Sequence, residues 1–319
     1  MTAPRRPAII DVGSNSTRLL LVEGMDPDGA RGARTTTITG LRRGAAPDGR
    51  LADAALGRLD AALVEIAERI DRFGPDVVVP VGTSAVRDAP DRGRVEDLIR
   101  SRLGVGLHVV AGEQEAEFAF RGARAAHPGG RVLVVDIGGG STELIAGGAQ
   151  PAAAVSLQRG AVRCTEGFLR DDPPDPAARA RLAVSLDEDM ASALERVGRA
   201  PAVIGVAGTF TTLAAVDIGH YDPALVHDHV LTVDRLRAIV DRLASLPVAE
   251  RREVPGLEPA RAPYIVAGGE IALAALRAAA SGEVIVSERD LLDGIAAAVV
   301  DGAFPAHGDA VSEPGSFRS

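Results

Sequence analysis

The stretch Asp11-Val-Gly-Ser-Asn-Ser-Thr-Arg-Leu-Leu20 recurs in altered form as Asp136-Ile-Gly-Gly-Gly-Ser-Thr-Glu-Leu-Ile145. The two stretches share Asp, Gly, Ser, Thr and Leu, five of ten positions, at an offset of 125 residues. Gly82-Thr83 and Gly208-Thr209 match at an offset of 126 residues. Chance would give about one identity in ten aligned positions, so two matches in nearly one register indicate an internal duplication. The sequence therefore predicts two domains built on one plan.

Each copy of the repeated stretch is predicted to be a β-hairpin, because apolar, β-branched residues flank a short turn rich in glycine. The first hairpin joins strands at 8–12 and 17–22 through Gly13-Ser14-Asn15, and the second joins strands at 132–136 and 142–146 through Gly138-Gly139-Gly140. Further strands are predicted at 35–40, 77–81, 107–110, 152–158, 202–206 and 284–287, and helices at 51–72, 93–102, 113–125, 176–197, 209–217, 233–244, 262–280 and 289–301. This alternation of strands and helices is typical of an α/β fold.

A loop signal, His127-Pro128-Gly129-Gly130, separates the two halves of this pattern. We therefore expect an N-terminal domain at 1–126 and a C-terminal domain at 127–304, with the last helix free to pack back on the first domain. Residues 305–319 are polar and are predicted to form a disordered tail.

The composition excludes several classes of function. The chain has 319 residues, of which 46% are hydrophobic, enough for the cores of two domains. Its 35 basic and 44 acidic side chains give a net charge of −9, which disfavours binding to nucleic acid. No lysine occurs in the sequence. P-loop NTPases, protein kinases and Schiff-base enzymes each need a lysine, so these mechanisms cannot operate here.

The cellular location is predicted from the cysteine content and the apolar segments. Cys164 is the single cysteine and cannot form an intrachain disulfide, and no apolar run approaches the roughly 18 residues of a membrane span. The apolar stretch after Arg6 is interrupted by Asp11 and is too short for a signal peptide. We therefore expect a cytoplasmic protein that does not associate with a membrane.

The repeated hairpin has the composition of a phosphate-binding loop. Glycines allow backbone N–H groups to approach an anion closely, and Ser and Thr hydroxyls add uncharged donors. The aspartate that ends the first strand of each hairpin can hold a metal ion, directly or through water. An isolated Asp-x-Gly is more often an ordinary hairpin with an Asx turn, but two copies that face each other across a cleft favour the phosphate site.

The order of the motifs resembles one enzyme family closely. The two hairpins resemble the phosphate loops of the actin, sugar-kinase and heat-shock-chaperone superfamily, and the whole chain resembles its exopolyphosphatase and guanosine pentaphosphate phosphohydrolase (Ppx/GppA) branch. Seven motifs occur in order, namely Ile9-Ile-Asp-Val-Gly-Ser-Asn-Ser16, Gly82-Thr-Ser-Ala-Val-Arg-Asp88, Gly112-Glu-Gln-Glu-Ala116, Val135-Asp-Ile-Gly-Gly-Gly-Ser-Thr-Glu143, Gly160-Ala-Val-Arg163, Ala207-Gly-Thr209 and Val286-Ser-Glu-Arg289. The resemblance implies two duplicated actin-like (ribonuclease H-like) α/β domains with a phosphate-binding cleft between them.

The resemblance also implies roles for individual residues. Glu115 is similar to the catalytic glutamate, and Gln114 stands where the family often has a second Glu. Asp136 and Glu143 match the carboxylates associated with magnesium. The implied phosphate-binding residues are Asp11, Gly13, Ser14, Asn15, Ser16, Thr83, Arg87, Gly138, Gly139, Gly140, Ser141, Thr142, Gly208 and Thr209.

Elementary chemistry agrees with these roles but leaves alternatives for each residue. Hydrolysis of a phosphoanhydride needs positioning, neutralisation of charge and a base that orients water. Glu115 lies in the first turn of a predicted helix, where the helix dipole favours the carboxylate form that a base requires. Without the family resemblance, a solvated first-turn Glu is the more ordinary interpretation, and Glu113 and Glu117 are expected to be of that kind.

The metal and phosphate ligands have alternatives as well. Asp136 and Glu143 are seven residues apart across a hairpin and can converge on one Mg²⁺, with Mn²⁺ as a substitute, or they are a strand-end Asp and an exposed strand Glu. Arg87 either clamps a phosphate or pairs with Asp88. Arg163 and Arg289 are second-line candidates for phosphate binding, and each could equally be ion-paired at the surface.

Other polar motifs are expected to carry no chemistry. His227-Asp228-His229 has the ligand types of a metal site, but histidines two apart in a polar turn are more often solvated. Cys164 is expected to be a small buried hydrophobe. The pairs Arg42-Arg43 and Arg251-Arg252 are expected to be solvated, although some of these arginines could line an entrance for a polyanion.

The resemblance favours a Mg²⁺-dependent hydrolase that releases terminal phosphate from inorganic polyphosphate. The alternatives are hydrolysis of guanosine pentaphosphate, a non-catalytic sensor of polyphosphate or guanosine alarmones, and, least favoured, a sugar or acetate kinase. A base such as Glu115 argues against a sensor, because binding alone does not need one. The expected partner is therefore polyphosphate or guanosine pentaphosphate, and a homodimer is left open.

The expected substrate is a short polyphosphate. The two loops, Gly13 to Ser16 and Gly138 to Thr142, together with Arg87 can hold only the few phosphates nearest the scissile bond. A body with a charge of −9 repels the distant part of a long polyanion unless a local arginine cluster or a dimer partner shields it. We therefore expect distributive cleavage, in which the chain leaves between cuts.

Overall fold

In the computed structural model of the protein, residues 6–26, 29–127 and 129–304 are described. The first half of the chain forms a five-stranded sheet in the order β3-β2-β1-β4-β5. Its strands are β1 (Pro7–Val12), β2 (Thr17–Asp26), β3 (Gly29–Thr37), β4 (Val77–Gly82) and β5 (His108–Val109). The first three strands pair antiparallel, and β4 and β5 join in parallel.

The second half forms a six-stranded sheet in the order β10-β11-β9-β6-β7-β8. Its strands are β6 (Val132–Ile137), β7 (Thr142–Gly147), β8 (Pro151–Leu157), β9 (Ala202–Val206), β10 (Val230–Thr232) and β11 (Glu283–Val286). Strands β6, β7 and β8 repeat the antiparallel arrangement of β1, β2 and β3, and β9 lies parallel to β6 as β4 does to β1. Two sheets with one plan confirm the predicted fold class of duplicated α/β domains.

Helices cover both sheets. They are α1 (Asp53–Phe73), α2 (Ser84–Arg87), α3 (Gly93–Leu103), α4 (Gly112–Ala126), α5 (Ala161–Phe168), α6 (Pro176–Val197), α7 (Ala207–Ile218), α8 (Pro223–Val226), α9 (Val233–Ala244), α10 (Val248–Arg251), α11 (Ile265–Ala279) and α12 (Leu291–Val300), with a 3₁₀ turn at Pro259–Arg261. None of the helices in the described part of the chain is both long and apolar enough to cross a lipid bilayer.

The predicted positions of most elements agree with the structure, with two kinds of correction. The strand predicted at 35–40 is wrong in position, because β3 begins at Gly29 and ends at Thr37, paired along its whole length with β2. The Gly-Ala-Arg-Gly-Ala-Arg run over 29–34 hid the first half of β3, since it lacks the apolar alternation that marks a strand. The short elements β10, α2, α5, α8 and α10 were missed. The predicted tail at 305–319 lies outside the described residues.

Two helices cross between the sheets. Helix α12 packs on the first sheet, where Leu291 and Ile295 join the cluster of Ile9 and Leu20. Helix α4 packs on the second sheet, where Phe120 joins a cluster that includes strands β6 and β9. The exchange places the first turn of α4 and the first turn of α12 near the gap between the sheets.

Helices α4 and α12 touch backbone to backbone. A Cβ atom built on Gly122 would lie 1.9 Å from the carbonyl oxygen of Asp290, and one built on Gly294 would lie 1.9 Å from that of Phe118. Any side chain at either glycine would therefore force the two helices apart. This close crossing fixes Asp290, at the start of α12, relative to Glu115 on α4.

Candidate active site

The two glycine-rich turns have the same internal geometry. The backbone N–H of Gly13 donates to the carbonyl of Ser16 at 3.0 Å, and that of Gly138 donates to the carbonyl of Ser141 at 3.0 Å. The turns also face each other closely, since a Cβ atom on Gly139 would lie 3.0 Å from the Cβ of Ser14. The glycines therefore allow the two loops to approach with their backbones exposed to the gap.

The two hairpins differ at one aligned position next to these turns. In the first hairpin Asp11 pairs across the strands with Arg18, and in the second Asp136 pairs with Glu143. Arg18 donates to Asp11 Oδ2 from Nε at 3.0 Å and from Nη2 at 2.8 Å, and its Nη1 donates to Asp290. One guanidinium thus partly balances two buried carboxylates in the first hairpin.

The second hairpin has no such cation. Asp136 is 7% exposed and Glu143 is 1% exposed. Burial and the nearby charge of Asp290 together raise the pKa of Asp136 to about 8, although the charge of Arg18 opposes the shift. Burial also holds the pKa of Glu143 well above its usual range, together with the charges of Glu115 and Asp136, although Ser156 donates a hydrogen bond to Glu143 Oε1 at 2.8 Å. The pair therefore favours a bound cation.

Glu115 lies at the start of α4, 8% exposed, and accepts a hydrogen bond from Arg87 Nη1 at 2.9 Å. Burial raises its pKa to about 7, even though Arg87 opposes the shift. The expectation that the helix dipole keeps Glu115 ionised is therefore corrected, because desolvation outweighs the dipole here. A carboxyl group that titrates near neutrality suits a general base.

Arg87, the predicted phosphate-binding arginine, is fixed by contacts with other residues of the protein. Its Nη1 donates to the carbonyl of Val110 at 3.0 Å as well as to Glu115, and its Nε lies 3.7 Å from Asp88 Oδ1. These contacts orient the guanidinium beside the base. Arg87 is placed to position Glu115, and to reach a phosphate it would use its remaining N–H groups.

A cavity opens between the two loops. Of the predicted residues, Asp11, Gly13, Ser14, Asn15, Ser16, Thr83, Glu115, Asp136, Gly138, Gly139, Ser141, Gly208 and Thr209 line it. Arg87, Gly140, Thr142 and Glu143 do not line it. Thr142 is fully buried, and its hydroxyl donates to the carbonyl of Arg159, so it supports the loop and offers no donor to the cavity.

Several residues in the cavity wall were missed from the sequence. Arg18 could have been noticed, because it is a charged residue between apolar positions of a buried strand. Arg261 ends the 3₁₀ turn and Tyr264 directly precedes α11, and no motif in the sequence marked either residue as part of a site. Ala207 has a left-handed backbone with a φ of +66°. Glycine favours that region, so the turn into α7 is strained where it meets the cavity.

The discounted motifs are accounted for by ordinary contacts. Cys164 is buried, and burial raises its pKa to about 11. His229 pairs with Asp217 at 2.9 Å, and Arg289 donates to the carbonyl of Ala30 at 2.6 Å and not into the cavity. Arg251, which was expected to be solvated, is instead buried, with its three nitrogens bound to backbone carbonyls.

The carboxylates fit a hard divalent cation that is completed by its substrate. Within the described residues, no three His, Cys, Asp or Glu side chains form a ready-made metal cage. Mg²⁺ commonly binds one or two carboxylates and fills its other positions with water and substrate phosphates. The buried Oδ1 of Asp11 lacks a hydrogen-bond partner in the structure, so a polar acceptor is left free beside this pair.

Comparison with known proteins shows the family. The model of the Ppx/GppA phosphatase family matches residues 32–301. The chain belongs to the Ppx/GppA phosphatase family. Exopolyphosphatase 2 of Mycobacterium tuberculosis is 34% identical over 311 residues, which cover 91% of this chain and 97% of the relative. A guanosine-5'-triphosphate,3'-diphosphate pyrophosphatase of Aliivibrio fischeri is 29% identical over 86% of this chain but only 55% of the relative.

Solved structures of the family share the fold. The crystal structure of an exopolyphosphatase-like protein has a TM-score of 0.86 and 34% identity, covering 93% of this chain and 99% of that protein. The Ppx/GppA protein of Aquifex aeolicus has a TM-score of 0.79 and 30% identity, covering 95% and 100%. These comparisons confirm the resemblance that the motifs indicated.

Proposed function

We propose that this protein is an exopolyphosphatase that uses Mg²⁺, or Mn²⁺ in its place, to release terminal orthophosphate from inorganic polyphosphate. The observation that carries the proposal is a buried carboxyl group with a pKa of about 7, Glu115, in the wall of a cavity bounded by two phosphate loops. A general base belongs at such a place in a hydrolase. Relatives named exopolyphosphatase align over most of the chain.

The chain's own residues divide the chemistry as follows. The loops at Gly13 and Gly138 hold the terminal phosphates through backbone N–H groups and hydroxyls. Glu115 accepts a proton from a water molecule as the oxygen of that water bonds to the terminal phosphorus. The bond from phosphorus to the bridging oxygen breaks, and the shortened chain leaves with that oxygen.

Two further pairs prepare the site. Arg87 keeps the Glu115 carboxyl aimed and favours its ionised form. Asp136 and Glu143 would hold the metal ion, which supplies positive charge against the substrate phosphates. Asp11, which is ion-paired with Arg18, would shape the phosphate site and repel a polyanion less than an unpaired carboxylate would.

Hydrolysis of guanosine pentaphosphate is the second candidate, because a relative with that activity in its name aligns over most of this chain. The decisive experiment measures phosphate release from tripolyphosphate, from longer polyphosphates of defined length and from guanosine pentaphosphate side by side. A larger kcat/KM on polyphosphate supports the first proposal, and a larger value on guanosine pentaphosphate transfers it to the second. If the Mg²⁺-loaded protein binds polyphosphate and guanosine pentaphosphate but releases phosphate from neither, the protein is a non-catalytic sensor.

Glu115→Gln is the matched control for that assay. The substitution keeps the shape of the side chain and removes the proton acceptor, so turnover should fall roughly a hundredfold or more. Substrate binding, measured by calorimetry, should survive. Near-normal turnover in this variant would remove Glu115 from the role of base.

Three finer points belong to the same proposal. We expect short chains to be preferred and cleavage to be distributive, so that a gel time course on a long chain displays successive intermediates that shorten together. We propose domain boundaries along the chain at 1–126 and 127–304, with α4 and α12 each packed on the sheet of the other domain. Light scattering on the purified protein would distinguish a monomer from a homodimer.

A further inference from the structure

Three arginines lie at the rim of the cavity, outside its wall, and we refer to Arg42, Arg43 and Arg163 as the rim arginines. They come from both halves of the molecule. Arg42 and Arg43 follow β3 in the first half, whereas Arg163 lies on α5 in the second. Each is tied to a part of the candidate active site.

Arg163 is anchored on the second phosphate loop. Its backbone N–H donates to the carbonyl of Gly139 at 3.1 Å, and its Nε donates to the carbonyl of Gly140 at 2.9 Å. Its Nη2 lies 3.5 Å from Asp88, and the same carboxylate lies 3.7 Å from Arg87 Nε. Arg163 is therefore the next cation beyond Arg87, on the side away from Glu115.

The turn that carries Arg42 and Arg43 is anchored on the first phosphate loop. The backbone N–H of Arg42 donates to the carbonyl of Ser14 at 3.0 Å, and that of Gly40 donates to Asn15 at 2.8 Å. Arg43 Nε donates to the hydroxyl of Tyr264 at 2.7 Å, and Tyr264 lines the cavity. The turn thus sits at the mouth of the site and contacts both halves of the protein.

The charges at this rim are only partly balanced by the protein, because Arg163 shares the Asp88 carboxylate with Arg87. Within the described residues, the Arg42 guanidinium makes no hydrogen bond and no carboxylate lies within 4.0 Å of it. Burial lowers the pKa of Arg163, and the like charge of Arg42 lowers it further. The carboxylates near the rim arginines are Glu166 and Asp88, and Asp88 also serves Arg87. Two like charges held near each other favour a bound anion.

We propose that Arg42 and Arg163 form a subsite for the phosphates beyond the third in a linear condensed phosphate chain whose end lies at Glu115. The inference rests on the proposed function and adds the path by which the rest of the chain leaves the cavity. Arg87, Arg163 and Arg42 follow one another outward from the base, and each offers N–H donors that match phosphate oxygens. The subsite shields a short length of polyanion from a protein whose net charge is −9.

The test compares Arg42→Gln with the wild type on tripolyphosphate and on a chain of about 15 phosphates. Arg42 is the better target because only its backbone contacts the phosphate loop, so the loop should keep its shape. KM for the longer chain should rise roughly three- to tenfold, while kcat and KM for tripolyphosphate stay within about twofold. Arg42→Lys should recover part of the loss, because it keeps the charge.

Arg100→Gln is the matched control, since Arg100 is an exposed arginine on α3 whose loss changes the net charge equally. An unchanged KM for the longer chain in Arg42→Gln would overturn the subsite. An equal rise at both chain lengths, or an equal rise in Arg100→Gln, would also overturn it, because either result indicates a general effect of charge. If the wild-type protein releases no phosphate from either chain, the proposed function itself is wrong. That result differs from failure of the subsite, in which the wild type is active but Arg42→Gln has an unchanged KM.

Discussion

The two phosphate-loop hairpins fold alike but differ in charge. Both have the same turn hydrogen bond, and both begin with a buried aspartate at the end of a central strand. Opposite that aspartate stands Arg18 in the first hairpin and Glu143 in the second. The residue at this one duplicated position, Arg18 or Glu143, therefore decides whether the hairpin itself supplies a cation to balance the aspartate.

This difference assigns different tasks to the two halves of the site. In the first hairpin, Arg18 joins Asp11 to Asp290 of α12 and so stabilises the contact between the two halves. In the second hairpin, Asp136 and Glu143 are both acids, and burial raises the pKa of both. The first hairpin should serve the fold and the phosphate, and the second should serve the metal ion.

Removal of the internal cation should have the largest effect. Arg18→Met leaves the buried carboxylates of Asp11 and Asp290 without their shared cation, so the free energy of unfolding should fall by about 3–5 kcal/mol. Arg31→Met, which removes an exposed pair on the same sheet, should cost less than about 1 kcal/mol. Denaturation by urea measures both, and Asp290→Asn added to Arg18→Met should recover part of the loss. A loss no larger than that of Arg31→Met would contradict the role given to Arg18.

Changes in the second hairpin should act on the metal requirement. Asp136→Ala or Glu143→Ala removes a hard oxygen ligand or the partner of a bound water, so half-maximal activity should need roughly ten to a hundred times more Mg²⁺. Titration of phosphate release with Mg²⁺ checks this. The matched change in the first hairpin, Asp11→Ala, should shift the titration less, because Asp11 is already paired with Arg18. Unchanged titrations in both second-hairpin variants would exclude this pair from the metal site.

The smallest effect is a pH dependence of stability in the protein without metal. Asp136 has a pKa raised from 3.8 to about 8, so the folded state binds an extra proton between these values. The contribution of Asp136 to the free energy of unfolding should therefore be largest below about pH 4 and should fall as the pH rises through about 8. Melting temperatures measured from pH 5 to 9 should decline less in Asp136→Asn than in the wild type.

Saturating Mg²⁺ provides the control for that measurement. The ion binds the ionised carboxylates, so it should stabilise the wild type most at the alkaline end of the range and reduce the decline. A wild type whose melting temperature rises between pH 6 and 8 without metal would contradict the buried acidic pair.

Elements with a strong local pattern could be predicted from the sequence to the residue. The helix at 176–197 and the strand at 202–206 have the predicted bounds, because apolar periodicity and a proline at the helix start are local signals. Strand β3 was misplaced because its glycines and arginines carry no such period. The same limit hid α5, whose eight residues are too few to establish a helical pattern.

The residues that line the cavity were predicted where they lie in one motif and missed where they come from distant segments. Glu115 and the two loops come from contiguous stretches. The ion pair of Arg18 with Asp290 spans 272 residues. Arg261 and Tyr264 reach the cavity from the second half of the chain. No local sequence pattern predicts these long-range contacts, because they depend on how the helices and sheets pack.

The sequence by itself determined the duplication, the two hairpins and the presence of residue types suited to phosphate and metal, because these properties belong to short contiguous stretches. Only the tertiary structure decided which charges are neutralised. Burial raises the pKa of Glu115 to about 7 against the helix dipole, and burial depends on what α4 packs against. The exchange of α4 and α12 between the sheets sets that packing, and it also brings Asp290 to the Arg18–Asp11 pair.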